Sequence, residues 1–76
     1  MKNYTKVKIV WFNKNELVGE GTTDNGNKVI IPAKSFNQES DVAKLMPNIE
    51  VNCQIYNTRQ NGLYAYASEL ATSKST

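Results

Sequence analysis

The sequence predicts an all-β domain: five short strands closed into a small barrel. Three observations carry this. Apolar and polar residues alternate at a period of two, as in Val7, Ile9 and Trp11 against Lys6, Lys8 and Val10. Two Asn-Gly pairs, Asn25-Gly26 and Asn61-Gly62, stand between such stretches and supply the positive φ that a tight hairpin needs. A chain of 76 residues has room for one domain, and closing its sheet removes the exposed edges that an open sheet would leave.

The first strand covers about 5–13, a stretch rich in β-branched and aromatic residues. Asn13-Lys14-Asn15 turns the chain by composition, and a second strand covers about 17–23. Asp24-Asn25-Gly26-Asn27 then leads into a third strand, Lys28 to Ile31, stopped by Pro32, which has no ladder donor. Residues 33–49 form the longest irregular section. Within it Asn37 to Leu45 has room for one or two helical turns, with Ser40 or Asp41 as cap, and Phe36 reads as a plug at the barrel end. Pro47-Asn48 leads into a fourth strand over about 50–57, and Asn61-Gly62 joins it to a fifth over about 62–70. Residues 1–70 are thus the domain, and 71–76, ATSKST, a polar tail expected to be disordered. Five strands with a long connection after the third fit a five-stranded antiparallel Greek-key barrel of the oligonucleotide-binding (OB) type. An SH3-like barrel is the structural rival.

Composition argues for binding rather than catalysis. The chain has no histidine, which removes the commonest general base and metal ligand. Cys53 is the only cysteine, so no disulfide forms within the chain; a reducing compartment and a core position are expected for it. No Ser-His or Cys-His pair is possible. Gly19-Glu20-Gly21 is too short to cradle a phosphate, and the seven acidic residues are scattered. No enzyme activity, cofactor or metal is expected. Without a long apolar run or a signal-like N-terminus, a cytoplasmic protein is expected. The net charge is +2, and Lys2, Lys6, Lys8 and Lys14 gather around the Trp-Phe pair.

That pair raises a geometric question. On a regular strand Trp11 and Phe12 point to opposite faces. The expectation is that Trp11 lies on the exposed sheet face, with Phe12 beside a strand-end irregularity that lets it flank the same surface; a buried Trp11 with a satisfied indole N–H is the alternative. On the fifth strand Leu63, Ala65 and Ala67 are expected to face inward, leaving Tyr64 and Tyr66 outside. There the tyrosines form a second aromatic platform or cover a thin core near Gly19 and Gly21, an ambiguity that Tyr56 shares.

The run Val10-Trp11-Phe12-Asn13, followed by a glycine-bearing strand, resembles the cold-shock domain, whose first strand carries Lys-Trp-Phe-Asn. The resemblance spans about residues 5–70. Trp11, Phe12 and Asn13 stand as in that family, Gly19 keeps the glycine of its second strand, and the fourth strand keeps inward Val51 and Ile55 around Cys53. Val10 and Glu16 replace lysines, and Val18 and Glu20 replace phenylalanines. Ile30, Pro32 and Ala33 replace the Phe, His and third aromatic beyond them, and Gly21 stands where an inward Ile is usual. The resemblance implies single-stranded DNA or RNA binding by stacking on aromatics. Its candidate site residues are Lys8, Trp11, Phe12, Asn13, Lys14, Lys28, Arg59, Tyr64 and Tyr66, with Lys6 and Lys34 as further phosphate contacts. The alternative is a protein-interaction module, or a homodimer, contacting through an apolar patch of Val10, Trp11, Val18, Glu20, Ile30 and Pro32.

Overall fold

The computed structural model describes residues 4–60 and 62–71; Asn61, Lys2 and nearly all of the expected tail lie outside the described residues. The chain runs β1 (Thr5–Asn13), β2 (Val18–Thr23), β3 (Lys28–Pro32), a 3-10 turn (Ala33–Ser35), α1 (Glu39–Ala43), β4 (Glu50–Thr58) and β5 (Gly62–Leu70). β2 begins one residue later than the alternation predicts, because Leu17 takes φ 63 and ends the turn, with its N–H on the Asn13 carbonyl at 2.8 Å. Gly26 at φ 87 and Gly62 at φ 80 meet the positive-φ requirement of the two hairpins. The helix is five residues long, and neither Ser40 nor Asp41 caps it. Gln38 occupies the N-cap position without a side-chain bond to the helix, and Glu39 and Asp41 in the first turn instead lie at the positive end of the helix dipole, which favours them.

The strands close in the order β1-β2-β3-β5-β4. Five strands in a ring cannot all alternate in direction, so one neighbouring pair must be parallel. That pair is β3 and β5, joined only through Val29 opposite Leu63 and Ile30 opposite Tyr64. The barrel is therefore mixed rather than wholly antiparallel, and the crossover that this parallel pair demands runs through the 33–49 connection and β4 together. Its architecture is the all-β, OB-type barrel.

Val7 and Ile9 of β1, Val29 and Ile31 of β3, Val51 and Cys53 of β4 and Ala65 of β5 fill the interior. Phe36 and Leu45 close it from the connection, so Phe36 is the plug and Cys53 the core residue that the sequence indicates. Gly21 leaves no hole. Val7 and Ile31 occupy the space its side chain would need, and a Cβ there would also come within 2.8 Å of the Lys8 carbonyl. Phe12 fills the equivalent space over Gly19, its Cδ2 lying 2.5 Å from where that Cβ would stand.

Two bulges break the alternation. Ile9 pairs with Gly21 but Trp11 with Glu20, so Val10 is an extra residue in β1. On the other side Ile9 donates to the Ile49 carbonyl and accepts from the Asn48 N–H, both at 2.8 Å, which fixes β1 just before the extra residue. Gln54 pairs with Ala67 but Ile55 with Ala65, so Tyr66 is the extra residue of β5. Beyond it Ala67 turns outward opposite Gln54, and Ser68 takes the inward place expected for Ala67. Ser35 donates to the Pro32 carbonyl at 2.7 Å, and Ser68 Oγ lies 2.8 Å from Ser35 Oγ and 3.3 Å from Cys53 Sγ. This buried polar chain ties the 3-10 turn to β4 and β5. Among the described residues no helix is long and apolar enough to cross a membrane.

Candidate functional site

The bulge at Val10 settles how Trp11 and Phe12 are shared between the two faces. Two successive residues, Val10 and Trp11, point outward, and the next, Phe12, points in. Val10 and Trp11 are 51% and 40% exposed, whereas Phe12 is half-buried and packs against the core. Phe12 therefore does not flank the surface that carries Trp11. The irregularity lies one residue before Trp11 rather than at the strand end, and it spends the phenylalanine on Gly19.

Strand pairing then carries Trp11 into a row that crosses all five strands. Trp11 stands opposite Glu20 on β2, Glu20 opposite Ile30 on β3, Ile30 opposite Tyr64 on β5, and Tyr64 opposite Tyr56 on β4. Directly opposed residues on neighbouring strands share a face, so the row is one continuous outer stripe with aromatics at both ends. At its far end the Tyr56 ring lies 6.0 Å from Tyr64 and 5.5 Å from Tyr66 between centroids, tilted at 42° and 58°. The bulge residue Tyr66 and its neighbour Tyr56 are well exposed, and Tyr64 is half-buried. The tyrosines thus lie outside, as the alternation predicts, and they do not cover Gly19 and Gly21, a role that falls to Phe12, Val7 and Ile31.

Glu20 is the electrostatic centre of the Trp11 end. The indole N–H donates to Glu20 Oε1 at 3.1 Å, and Lys28 Nζ lies 3.8 Å from the other carboxylate oxygen. The carboxylate thus fixes the edge of the indole ring and is itself partly neutralised. In the adjacent row Lys8, Thr22 and Lys28 stand opposite one another, which places Lys8 and Lys28 on either side of Thr22. Lys8 also faces Glu50 on β4, whose carboxylate lies 3.9 Å from Lys6 Nζ.

Other expected site residues serve the fold. The Asn13 carboxamide oxygen accepts from the Asn15 and Glu16 N–H groups at 2.8 and 3.0 Å, shaping the β1–β2 turn. Lys14 donates to the Ala43 carbonyl at 2.8 Å, closing the C-terminal end of α1. Neither belongs to the Trp11 row. Arg59 is exposed in the turn after β4, and Lys34 in the 3-10 turn. The alternative apolar patch is also brought together in part: Val18 pairs with Pro32 and Glu20 with Ile30, all half-buried beside Trp11 and Val10. Alternation alone missed the joining of Trp11 to Tyr56 through four strand pairings; the extra residue at Val10 has no signature in composition.

Among the described residues no group of three or more Cys, Asp or Glu side chains is arranged to hold a metal ion. No protein-family model matches the chain, and no curated protein matches it significantly.

Proposed function

We propose that this chain is a small single-stranded nucleic-acid-binding protein of the cytoplasm, a divergent member of the cold-shock type that binds along its outer row. The observation that carries this reading is the strand register linking Trp11 to Tyr64 and Tyr56 on one outer face. Adjacent strands lie about 4.8 Å apart, so the three steps from Trp11 to Tyr64 cover roughly 14 Å. That spacing suits a strand of several unstacked bases, and sites of about 4–16 nucleotides are usual for one OB barrel. Lys8 and Lys28 border the row and supply phosphate contacts, and Arg59 adds positive charge at the turn after β4. Binding of this kind is salt-dependent and tolerant of sequence, because every base offers a π-face.

Trp11 is the chain's only tryptophan, so its emission reports on the row directly. Titration with oligo-dT, oligo-rU and mixed single strands at low salt gives saturable quenching that weakens at physiological salt. Anisotropy of a labelled oligonucleotide shows the binding weakened in Trp11→Ala. In Glu20→Gln it strengthens about 2- to 5-fold, as a charge leaves the face. Absence of both quenching and anisotropy change at low salt overturns the reading. The contiguity of Val10, Val18, Ile30 and Pro32 around Trp11 and a carboxylate favours a second reading, a protein-contact surface. In that case a partner, and not an oligonucleotide, shifts the Trp11 emission.

A further inference from the structure

The two ends of the row are not equivalent. The Trp11 end carries a carboxylate, Glu20, bonded to the indole itself. The tyrosine end is a cleft of about 330 Å³ lined by Pro32, Lys34, Ser35, Tyr56, Tyr64 and Tyr66, with no acidic side chain in its lining. Its rings are tilted rather than stacked in parallel, and Tyr56 and Tyr66 are 47% and 56% exposed, which leaves aromatic surface for a planar ligand to contact. Lys34 sits at the rim on a fixed stretch of backbone. On its two sides Pro32 and Phe36 are anchored: the Pro32 carbonyl accepts from Ser35, Ser35 reaches Ser68, and Phe36 is buried in the core.

We infer that this cleft is the principal anchor of the nucleic-acid strand: one unpaired base stacks among Tyr56, Tyr64 and Tyr66 while its phosphate pairs with Lys34. The inference rests on the single-strand reading and moves the main contact from β1–β3 to the β4–β5 side of the barrel. Among the described residues, three features meet only there: exposed tyrosine rings, a lysine lining the same cleft, and no acidic side chain in that lining. A nucleotide offers the matching pair, a π-face and an anion one bond system apart. The bulge at Tyr66 contributes by leaving that residue without a partner across the ladder, so its ring stands beside Tyr56 with no β4 side chain directly opposed to it.

The test uses the whole chain. In ¹H–¹⁵N spectra, the dinucleotide TpT bearing a 5′-phosphate shifts the amides of Lys34, Tyr56, Tyr64 and Tyr66 and leaves the Trp11 indole N–H in place. With a labelled oligo-dT, Tyr56→Ala and Tyr66→Ala each weaken binding roughly 5- to 100-fold. Lys34→Ala lowers the slope of log affinity against log salt by about 0.7, the loss of one phosphate contact to a single strand. Both tyrosines are exposed, and circular dichroism confirms that the variants fold. If the oligonucleotide binds but the tyrosine variants stay within about 2-fold, or if the dinucleotide shifts the indole and not the cleft, the anchor is wrong and the single-strand reading stands. If no oligonucleotide binds wild type, both fail together.

Discussion

Cys53 shows how one side chain carries a pH dependence into the whole domain. It is fully buried, and burial pushes its thiol above the ordinary range, partly offset by the contact from Ser68. In the unfolded chain the thiol loses its proton near pH 8.5, whereas in the folded chain it holds that proton to higher pH. The contribution to stability is therefore complete below the unfolded value. It is lost as pH rises from there toward the folded value, by up to about 1.4 kcal/mol per pH unit. Urea denaturation of wild type and Cys53→Ala from pH 7 to 10 measures this: the difference between their stabilities is constant to about pH 8 and shrinks above it. A constant difference throughout refutes the assignment. Glu20 works at the same scale by another route. Nothing in its spacing shows that it braces the indole N–H and meets Lys28; in the sequence it reads as a replaced phenylalanine and as a member of the alternative contact patch.

At the scale of elements, the β1 bulge decides which aromatic stabilises and which is presented. Val10 adds a second outward position, so Trp11 is on the surface and Phe12 closes over Gly19. Phe12→Ala should then cost about 2–4 kcal/mol, near the range for large aromatic truncations in cores. Trp11→Ala, which empties no core space, costs less than half of that. Chemical denaturation of both variants checks the order, and equal or reversed costs would refute the bulge as placed. The β5 bulge acts on the residues after it: it turns Ala67 outward and puts Ser68 in the interior in its place, where Ser68 joins Ser35 to Cys53.

For the molecule as a whole, closure depends on its thinnest joint. The β3–β5 seam has two paired positions, Val29 with Leu63 and Ile30 with Tyr64, whereas β4 and β5 pair along nearly their full lengths. A domain of this size has little stability to spare, and regions with few interactions open first. Hydrogen exchange followed by NMR should find the amides of the seam exchanging before those between β4 and β5. Equal protection of the two would mean that the barrel opens only by global unfolding. Because the seam also carries Ile30 to Tyr64 across the outer row, ligand bound along that row should slow exchange there.

The strands, their hairpins, the plug at Phe36 and the burial of Cys53 were legible in the residues alone. These follow from local rules: the period of two, the positive φ that Gly26 and Gly62 allow, and the exclusion of Pro32 from a strand interior. The alternation also puts Tyr64 and Tyr66 outside, whereas the outward facing of Trp11 depends on the extra residue at Val10. That β3 and β5 are the parallel pair comes from barrel closure, since a ring of five strands forces one such pair and local pattern cannot choose which. Only the tertiary structure decided that Phe12 turns inward, that Asn13 and Lys14 hold turns and helix ends, and that Trp11 and Tyr56 share one row. An extra residue reverses the facing of everything after it, and strand register joins positions far apart in sequence. Both are fixed by what lies across the barrel rather than by what lies beside a residue in the chain.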